Sequence, residues 1–328
     1  MNYLLLIALL PFTFSEKDNY DLKTYNTTLQ LAERYLINEQ FCNAAEVYQI
    51  LSADFELWND DRLNALICAL ECGDEELVEH FVQLLLDRGA TEEIFNVVLS
   101  EYEYFQKGGW RSKFNLDSRE QRSNNLVSSF IKMDFDNFRE KGLKLKEVNE
   151  HNYTLLIELV ESGNFPTEKH FGFMTRTGEE MSSKEFERVL YRLVEEKPAE
   201  FGKLLPQWYS KGYLCKRLFD YLMAWAEPEE KNRLNCKDDT QYFLRLDDMI
   251  LSCTPAELLT VNLNRAHFYL EPVHDFLKKS LFREKTELPF IIGEKIYDTK
   301  TPLSTEYQSP LIDLLNQNKL VEIRSISY

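Results

Sequence analysis

Apolar residues recur at spacings of three and four from about Leu22 to Gln106, which is the period of a helix with one buried face. The connections are short, and "ECGDEE" and "DRGATEE" pair a Gly that ends one helix with acids that start the next. Because short links force neighbouring helices antiparallel, the pattern predicts a stack of helical hairpins. The helices are expected over 24–38, 41–54, 58–72, 74–88 and 91–106.

The first hairpin alternates small and large packing residues at a regular spacing, namely Leu31, Ala32, Tyr35, Ala44, Tyr48 and Leu51. This is the spacing of a tetratricopeptide repeat, in which small residues let two helices approach and large ones fill the space between hairpins. The second hairpin fits more loosely, through Ala69, Gly73, Val78 and Leu85. We predict a tetratricopeptide-like stack over residues 16–107.

Beyond Phe114 helical patterns continue, but no repeat persists. They lie near 118–142, 149–162, 183–195, 198–211 and 213–226. Two later segments, "ELPFIIG" (287–293) and "LVEIRSIS" (320–327), are rich in β-branched residues. The predicted fold is mostly α: the hairpin stack, then an α-helical domain over 108–328 with a small β element near the C-terminus.

The first fifteen residues have the pattern of a secretory signal peptide. The apolar run from Tyr3 to Phe12 is shorter than the roughly 20 residues that a bilayer crossing needs. Thr13 and Ser15 are small residues at −3 and −1 of a cleavage site before Glu16. No later segment is long and apolar enough to span a membrane. Residues 1–15 are therefore predicted to direct export to the periplasm or outside the cell; the alternative is a retained first helix and a cytoplasmic protein.

Charge and composition narrow the classes of partner. The formal net charge is −17, with 38 Lys+Arg against 55 Asp+Glu, and such a surface repels nucleic acid and anionic lipid. The six cysteines do not form a C-x-x-C motif. Most lie in apolar helical patterns, so we expect buried thiols, with a single disulfide as the alternative. Asn26-Thr-Thr and Asn152-Tyr-Thr are glycosylation sequons, relevant only in a eukaryotic source.

The segment "HFYLEPVHD" is the best candidate for a metal site, because His267, Glu271 and His274 have helical spacing. Pro272 argues against it, since a helix is more readily started than crossed by proline. The sequence also lacks G-x-S-x-G, G-x-x-x-x-G-K-[ST] and G-x-G-x-x-G motifs. We predict no metal site, no cofactor and no catalytic residue.

Candidate binding residues come from two features. The Gly108-Gly109 pair before Trp110 interrupts the helical pattern, so Trp110 is expected to anchor a joint between the stack and the C-terminal domain. Polar residues also interrupt apolar segments, where burial requires partners. They would either grip a carboxylate or phosphate or form structural salt bridges. The candidate set is Trp110, Arg122, Gln241, Arg265 and His267.

Residues 59–114 resemble the tetratricopeptide-like part of exported proteins of Gram-negative bacteria. The remainder is similar to a C-terminal domain of unknown function that is often fused to such repeats. The matching pieces are Glu120-Gln121-Arg122, Asn152, Gly163 to Pro166, Gln241-Tyr242, and Arg265 with Leu270 and Pro272. The chain departs from the pattern in "VLYRLVEEKPAEF", which has no His, and in "TQYFLRL", which has no Gly. The resemblance implies an architecture and an exported location, but no activity.

The predicted function is therefore a non-enzymatic interaction protein of the periplasm or cell envelope that binds a protein or peptide. The alternative is a small-ligand-binding or hydrolytic C-terminal domain that uses Arg122, Gln241, Arg265 and His267. Whether the chain is an enzyme is left open by its sequence.

Overall fold

A computed structural model describes residues 21–90, 92–114, 145–163, 165, 167, 183–229, 232–234, 244–246, 249–293, 297–298 and 320–322. These residues are mostly helical, and consecutive helices pack as a stack of hairpins. Within these ranges, none of the helices combines the length and apolar character that a membrane crossing requires. The predicted signal peptide, the helix at 118–142, Arg122 and Gln241 lie outside the described residues.

The first four helices agree with the sequence pattern to within two residues. They are α1 (Leu22–Ile37), α2 (Phe41–Asp54), α3 (Asn59–Cys72) and α4 (Glu75–Asp87). Side chains cap two of them, because the carboxylates of Asp21 and Asp74 accept from the backbone N–H groups of Thr24 and Leu77. Gly73 ends α3 with φ +73°, a left-handed conformation that glycine adopts without strain.

The expected fifth helix is wrong as a single element. The chain forms α5 (Glu92–Val98), α6 (Glu103–Gln106) and a 3₁₀ helix (Gly109–Lys113). The break brings the rings of Phe95 and Phe105 to 5.3 Å between centroids. In one continuous helix these residues would lie about 15 Å apart along the axis, so the break is what allows them to stack.

The later helices are α7 (Leu145–Glu161), α8 (Ser183–Glu196), α9 (Pro198–Ser210), α10 (Lys216–Trp225), α11 (Pro255–His267) and α12 (Val273–Lys285). Helices α8, α9 and α10 pack on one another. Thr254 and Glu257 form a capping box at the start of α11. Pro272 caps α12, which confirms that a helix begins there and that His267 and His274 belong to different elements.

Among the residues that the structure describes, four short strands form a mixed sheet in the order β3-β1-β2-β4. They are β1 (Leu244–Leu246), β2 (Met249–Cys253), β3 (Tyr297–Asp298) and β4 (Leu320–Glu322). The pairs β1–β2 and β2–β4 are antiparallel and β1–β3 is parallel. β4 lies inside the second β-rich segment.

Residues 287–293 are irregular, so the strand expected there is wrong. The segment has the alternation of a strand, because Phe290 and Ile292 are buried. However, the main-chain hydrogen bonds that a neighbouring strand would form are made by the Asn64 side chain. Its Nδ2 donates to the carbonyl of Ile291 at 2.9 Å, and its Oδ1 accepts from the Ile291 N–H at 2.8 Å.

A disulfide joins Cys42 and Cys72, with 4.9 Å between their Cα atoms. Cys42 is in the first turn of α2 and Cys72 ends α3, so the antiparallel packing of the two helices brings them together. The expectation of buried thiols is therefore wrong for this pair. It holds for Cys68 and Cys215, which are free and buried.

One apolar core runs through the stack and the helices that follow it, from Leu22 to Ile292. Most of the predicted packing positions in the first hairpin belong to it, including Ala32, Ala44, Tyr48 and Leu51. Leu31 does not, since its exposed fraction is 41%. The two halves of the chain are thus held together by shared burial as well as by polar contacts.

Candidate functional site

Two lysines from the C-terminal helices meet one glutamate of the first helix. The Glu33 carboxylate accepts from Lys216 Nζ at 2.6 Å and from Lys279 Nζ at 2.5 Å. Glu33 lies on the buried face of α1, while Lys216 begins α10 and Lys279 lies within α12. Glu33 and Lys279 are buried and Lys216 is partly buried, so this contact joins three helices across the boundary between the stack and the C-terminal helices.

Glu271, in the link between α11 and α12, completes the arrangement. Its Oε1 accepts from Lys279 Nζ at 2.9 Å, and its Oε2 lies 3.4 Å from Lys216 Nζ. Burial would raise the pKa of Glu271, but Lys216, Lys279 and Arg265 outweigh it and hold the pKa below its usual range. Burial would likewise lower the pKa of Lys216, and Glu271 and Glu33 raise it instead. Both groups therefore stay charged.

Arg265 is fully buried and its exposed fraction is 0%. Its Nη1 donates to both carboxylate oxygens of Asp220 at 3.0 Å, and its Nε donates to the carbonyl of Glu271 at 2.6 Å. Its guanidinium carbon lies 5.3 Å from the centre of the Phe276 ring. Of the two alternatives for Arg265, the geometry supports the structural salt bridge, and the guanidinium is not presented to a ligand.

We call Glu33, Lys216, Glu271, Lys279, Arg265 and Asp220 the buried charge network. Three carboxylates face three cations, so the network has no net charge. This balance allows burial, since an unpaired ion in the interior would cost several kcal/mol. The arrangement acts as a structural clamp: its ion pairs hold α1 to the C-terminal helices.

Asp61 of α3 lies beside this network. The hydroxyl of Tyr25 donates to Asp61 Oδ2 at 2.6 Å. The pKa of Asp61 is raised to about 7: burial is the largest cause and Glu33 adds to it, while the Tyr25 hydrogen bond and Lys216 oppose the rise. A cavity of only about 40 Å³ lies against Asp61, Glu33 and Lys216. Asp61 is thus a buried carboxyl that titrates near neutral pH.

Further polar contacts cross the same boundary. Asn26 Nδ2 donates to the Tyr209 hydroxyl at 2.7 Å. Arg217 donates to Asp60 at 2.6 Å and to Glu187 at 2.8 Å, and Asp60 above all raises the pKa of the guanidinium. The side chain of Asn26 is buried against a neighbouring helix, which leaves no room for a glycan on the folded protein.

Sequence reasoning missed Glu33, Asp61 and Lys279, although a signal for them exists. Glu33 follows Leu29 by four residues and so lies on the apolar face of α1. The rule that singled out Arg265, that a charge inside an apolar helical face needs partners, applies equally to Glu33.

Trp110 is buried, with an exposed fraction of 1%, and its ring centroid lies 5.1 Å from Phe95 and 5.3 Å from Phe105. Lys113 donates to Glu75 and Glu79 of α4. The described contacts of this segment are therefore with the end of the stack. Among the described residues, the contacts between the stack and the C-terminal part lie on α1, α2 and α3, and include the stacking of Phe41 on Phe290. The joint at Trp110 stays a prediction.

His267 and His274 are exposed, and Glu271 belongs to the buried charge network. Within the part of the chain that the structure describes, no group of three or more His, Cys, Asp or Glu side chains is arranged to hold a metal ion. Of the five candidate binding residues, the structure places Trp110, Arg265 and His267 and does not bring them together.

No family model, curated protein or solved structure matches this chain. The resemblance to exported repeat proteins accordingly stays a prediction from its motifs.

Proposed function

We propose that this chain is an exported scaffold protein of the bacterial periplasm or cell envelope that binds a partner protein, and we assign no reaction to it. The observation that carries the proposal is an exposed apolar face on α11. Leu259 and Leu263 lie one turn apart with exposed fractions of 63% and 64%. Ala256 and Ala266 extend the same face, and both are exposed.

Exposing these apolar side chains to water costs free energy in an isolated protein. Burying a leucine side chain stabilises a complex by about 1.5–3 kcal/mol, and adjacent apolar residues on a surface are typical of protein-binding sites. On the other side of α11, Arg265 is bonded to Asp220, and this contact fixes the helix that carries the two leucines. A prearranged helix face lowers the entropy that binding must overcome.

The partner that fits is a helix with its own apolar face and basic flanks. Two apolar helix faces pack through residues at i, i+3 and i+4. The formal net charge of −17 attracts a basic partner and repels an acidic one.

The exported location is supported by two features. The first fifteen residues have the signal-peptide pattern. The Cys42–Cys72 disulfide is of the kind that persists in oxidising compartments and is rare in the cytosol. Mass spectrometry of the mature N-terminus tests this part: Glu16 as first residue supports export, and a retained Met1 contradicts it.

The binding part is tested with a lysine-rich amphipathic peptide whose leucines recur at i, i+3, i+4 and i+7. Fluorescence anisotropy should show saturable binding to the native protein, and the Leu259→Asp, Leu263→Asp double variant should lose at least tenfold in affinity. The matched control is Ile50→Asp, because Ile50 on α2 has an exposed fraction of 60% and lies on another helix.

A scrambled peptide of the same composition has the same charge but no apolar face, and it should bind more weakly. Equal binding of both peptides, or an equal loss in Ile50→Asp, would contradict the proposal. A dimer of the native protein, detected by light scattering and dissociated by Leu259→Asp and Leu263→Asp, would also contradict it. The face would then be covered by a second copy of the chain.

A further inference from the structure

Next to the buried charge network, α1 and α12 enclose a cleft of about 140 Å³. One wall is the last turn of α1, with Arg34 and Ile37. The other is the first half of α12, with Asp275 and Lys278. Glu271 and Lys279 reach the inner end of the cleft. The cleft therefore connects solvent to the charged interface.

The charges that line the cleft do not balance. Three cations, Arg34, Lys278 and Lys279, face two carboxylates, Glu271 and Asp275. Lys216 and Glu33, which lie deeper, carry one charge of each sign, so the excess of one positive charge remains. In a chain with a net charge of −17, this excess is a local reversal of sign.

The excess can be assigned to particular groups. Lys279 Nζ donates to Glu271 Oε1 at 2.9 Å and to Glu33 Oε2 at 2.5 Å, so its charge is already paired inside the network. Asp275 is 3.9 Å from Lys278, at the limit of an ion pair. Among the residues that the structure describes, the Arg34 guanidinium has neither an ion pair nor a hydrogen bond. Arg34 and Lys278 are thus the groups with electrostatic capacity left for an added anion.

The positions of the cleft walls are set by hydrogen bonds. Asn38 Nδ2 donates to the carbonyl of Arg34 at 2.7 Å, which closes the last turn of α1. Gln30 Nε2 donates to the carbonyl of Tyr269 at 2.6 Å, which ties α1 to the turn before α12. The main chain of the two walls is therefore fixed before a ligand arrives, and the exposed side chain of Arg34 is accessible to it.

Charge and volume together define the ligand. One excess positive charge matches a monoanion, and the planar guanidinium fork is suited to a carboxylate. A closed cavity of about 150 Å³ accommodates benzene. We propose that the cleft binds a small organic monocarboxylate, whose carboxylate bridges Arg34 and Lys278 and whose apolar part lies against Ile37. This site shares no residue with the predicted candidate set and does not depend on the α11 face.

The test uses the full chain and two probes of nearly equal shape, benzoate and neutral benzamide. Isothermal titration calorimetry should show saturable binding of benzoate at one site and at least tenfold weaker binding of benzamide. Arg34→Gln and Lys278→Gln should each weaken benzoate binding at least fivefold. Lys23→Gln is the matched control, because Lys23 is an exposed cation on α1 that does not line the cleft, and its affinity should stay within twofold.

The comparison of benzoate with benzamide requires no variant, so it holds even where a substitution disturbs folding. Equal binding of the two probes, absence of saturable binding, or an equal loss in Lys23→Gln would overturn the proposal. A short apolar peptide with a free C-terminal carboxylate provides another arm, with the C-terminal amide as its control. If the peptide acid bound and benzoate did not, the proposal that the ligand is a free small molecule would be wrong.

Discussion

Lys279 Nζ lies 2.5 Å from Glu33 Oε2, although the two residues are 246 positions apart in the sequence. The contact joins the first described helix to the last and is buried on both sides. A buried ion cannot be left without its partner at low cost, so the pair makes the stack and the C-terminal helices mutually dependent. The consequences for stability can be measured residue by residue.

Replacing Glu33 by Gln should destabilise the protein by about 3–5 kcal/mol, because the buried Lys279 and the partly buried Lys216 lose a shared carboxylate. Urea unfolding followed by circular dichroism measures the change in free energy. Glu46→Gln is the matched control on the exposed surface of α2, and it should change stability by no more than about 0.5 kcal/mol. Equal effects of the two substitutions would refute a clamp at Glu33.

Asp61 should make stability fall as pH rises toward neutral. Its folded pKa of about 7 lies above the ordinary unfolded value of about 3.9. Between these values only the folded protein holds the proton, so its stability decreases by up to about 4 kcal/mol as pH rises through the window. Below the window both states are protonated, and above it both are ionised.

Asp61→Asn keeps an acceptor for the Tyr25 hydroxyl and removes the titration. The free energy of unfolding, measured from pH 5 to pH 8, should therefore fall less steeply in Asp61→Asn than in the native protein. This range avoids Glu271, whose lowered pKa makes its contribution disappear only in acid. Parallel pH profiles for the two proteins would show that Asp61 does not hold a proton in the folded state.

Reduction of the Cys42–Cys72 disulfide should lower stability by about 3–4 kcal/mol, since the bond closes a loop of 30 residues in the unfolded chain. Thermal unfolding with and without dithiothreitol measures the loss as a lower Tm. The Cys42→Ser, Cys72→Ser double variant is the control, because it should unfold at the reduced Tm under both conditions. A native Tm that does not respond to the reductant would mean that this bond does not form or does not stabilise the fold.

Replacing Asn64 by Ala should release the segment around Ile291, because two main-chain hydrogen bonds depend on one side chain. These groups are partly buried, so leaving them without partners costs up to about 1–3 kcal/mol each. Hydrogen exchange followed by mass spectrometry should show faster exchange at the Ile291 amide. The Leu288 amide, which donates to Thr286 Oγ1, is the internal control; faster exchange at both amides alike would indicate general destabilisation instead.

Helix positions were predictable from local pattern, because helical periodicity, capping residues and glycine stops all act within a few residues. The two segments predicted wrongly are shaped by side-chain packing and by a side-chain hydrogen bond, which helical or strand periodicity does not report. Residues 91–106 break to stack Phe95 on Phe105, and 287–293 pairs with the Asn64 side chain and not with a strand. Asn64 lies 227 positions before Ile291, so this partner cannot be found from residues 287–293 alone.

The sequence by itself determined the helical class, the bounds of α1 to α4 and the start of α12 after Pro272, since these depend on neighbours along the chain. Only the tertiary structure decided that Glu33 meets Lys279, that Arg265 is paired with Asp220, and that Cys42 is bonded to Cys72. A helical pattern shows which residues must be buried, but charge pairing depends on which buried faces meet. That choice is made by packing over the whole chain, because each ion is stable in the interior only beside its counter-ion.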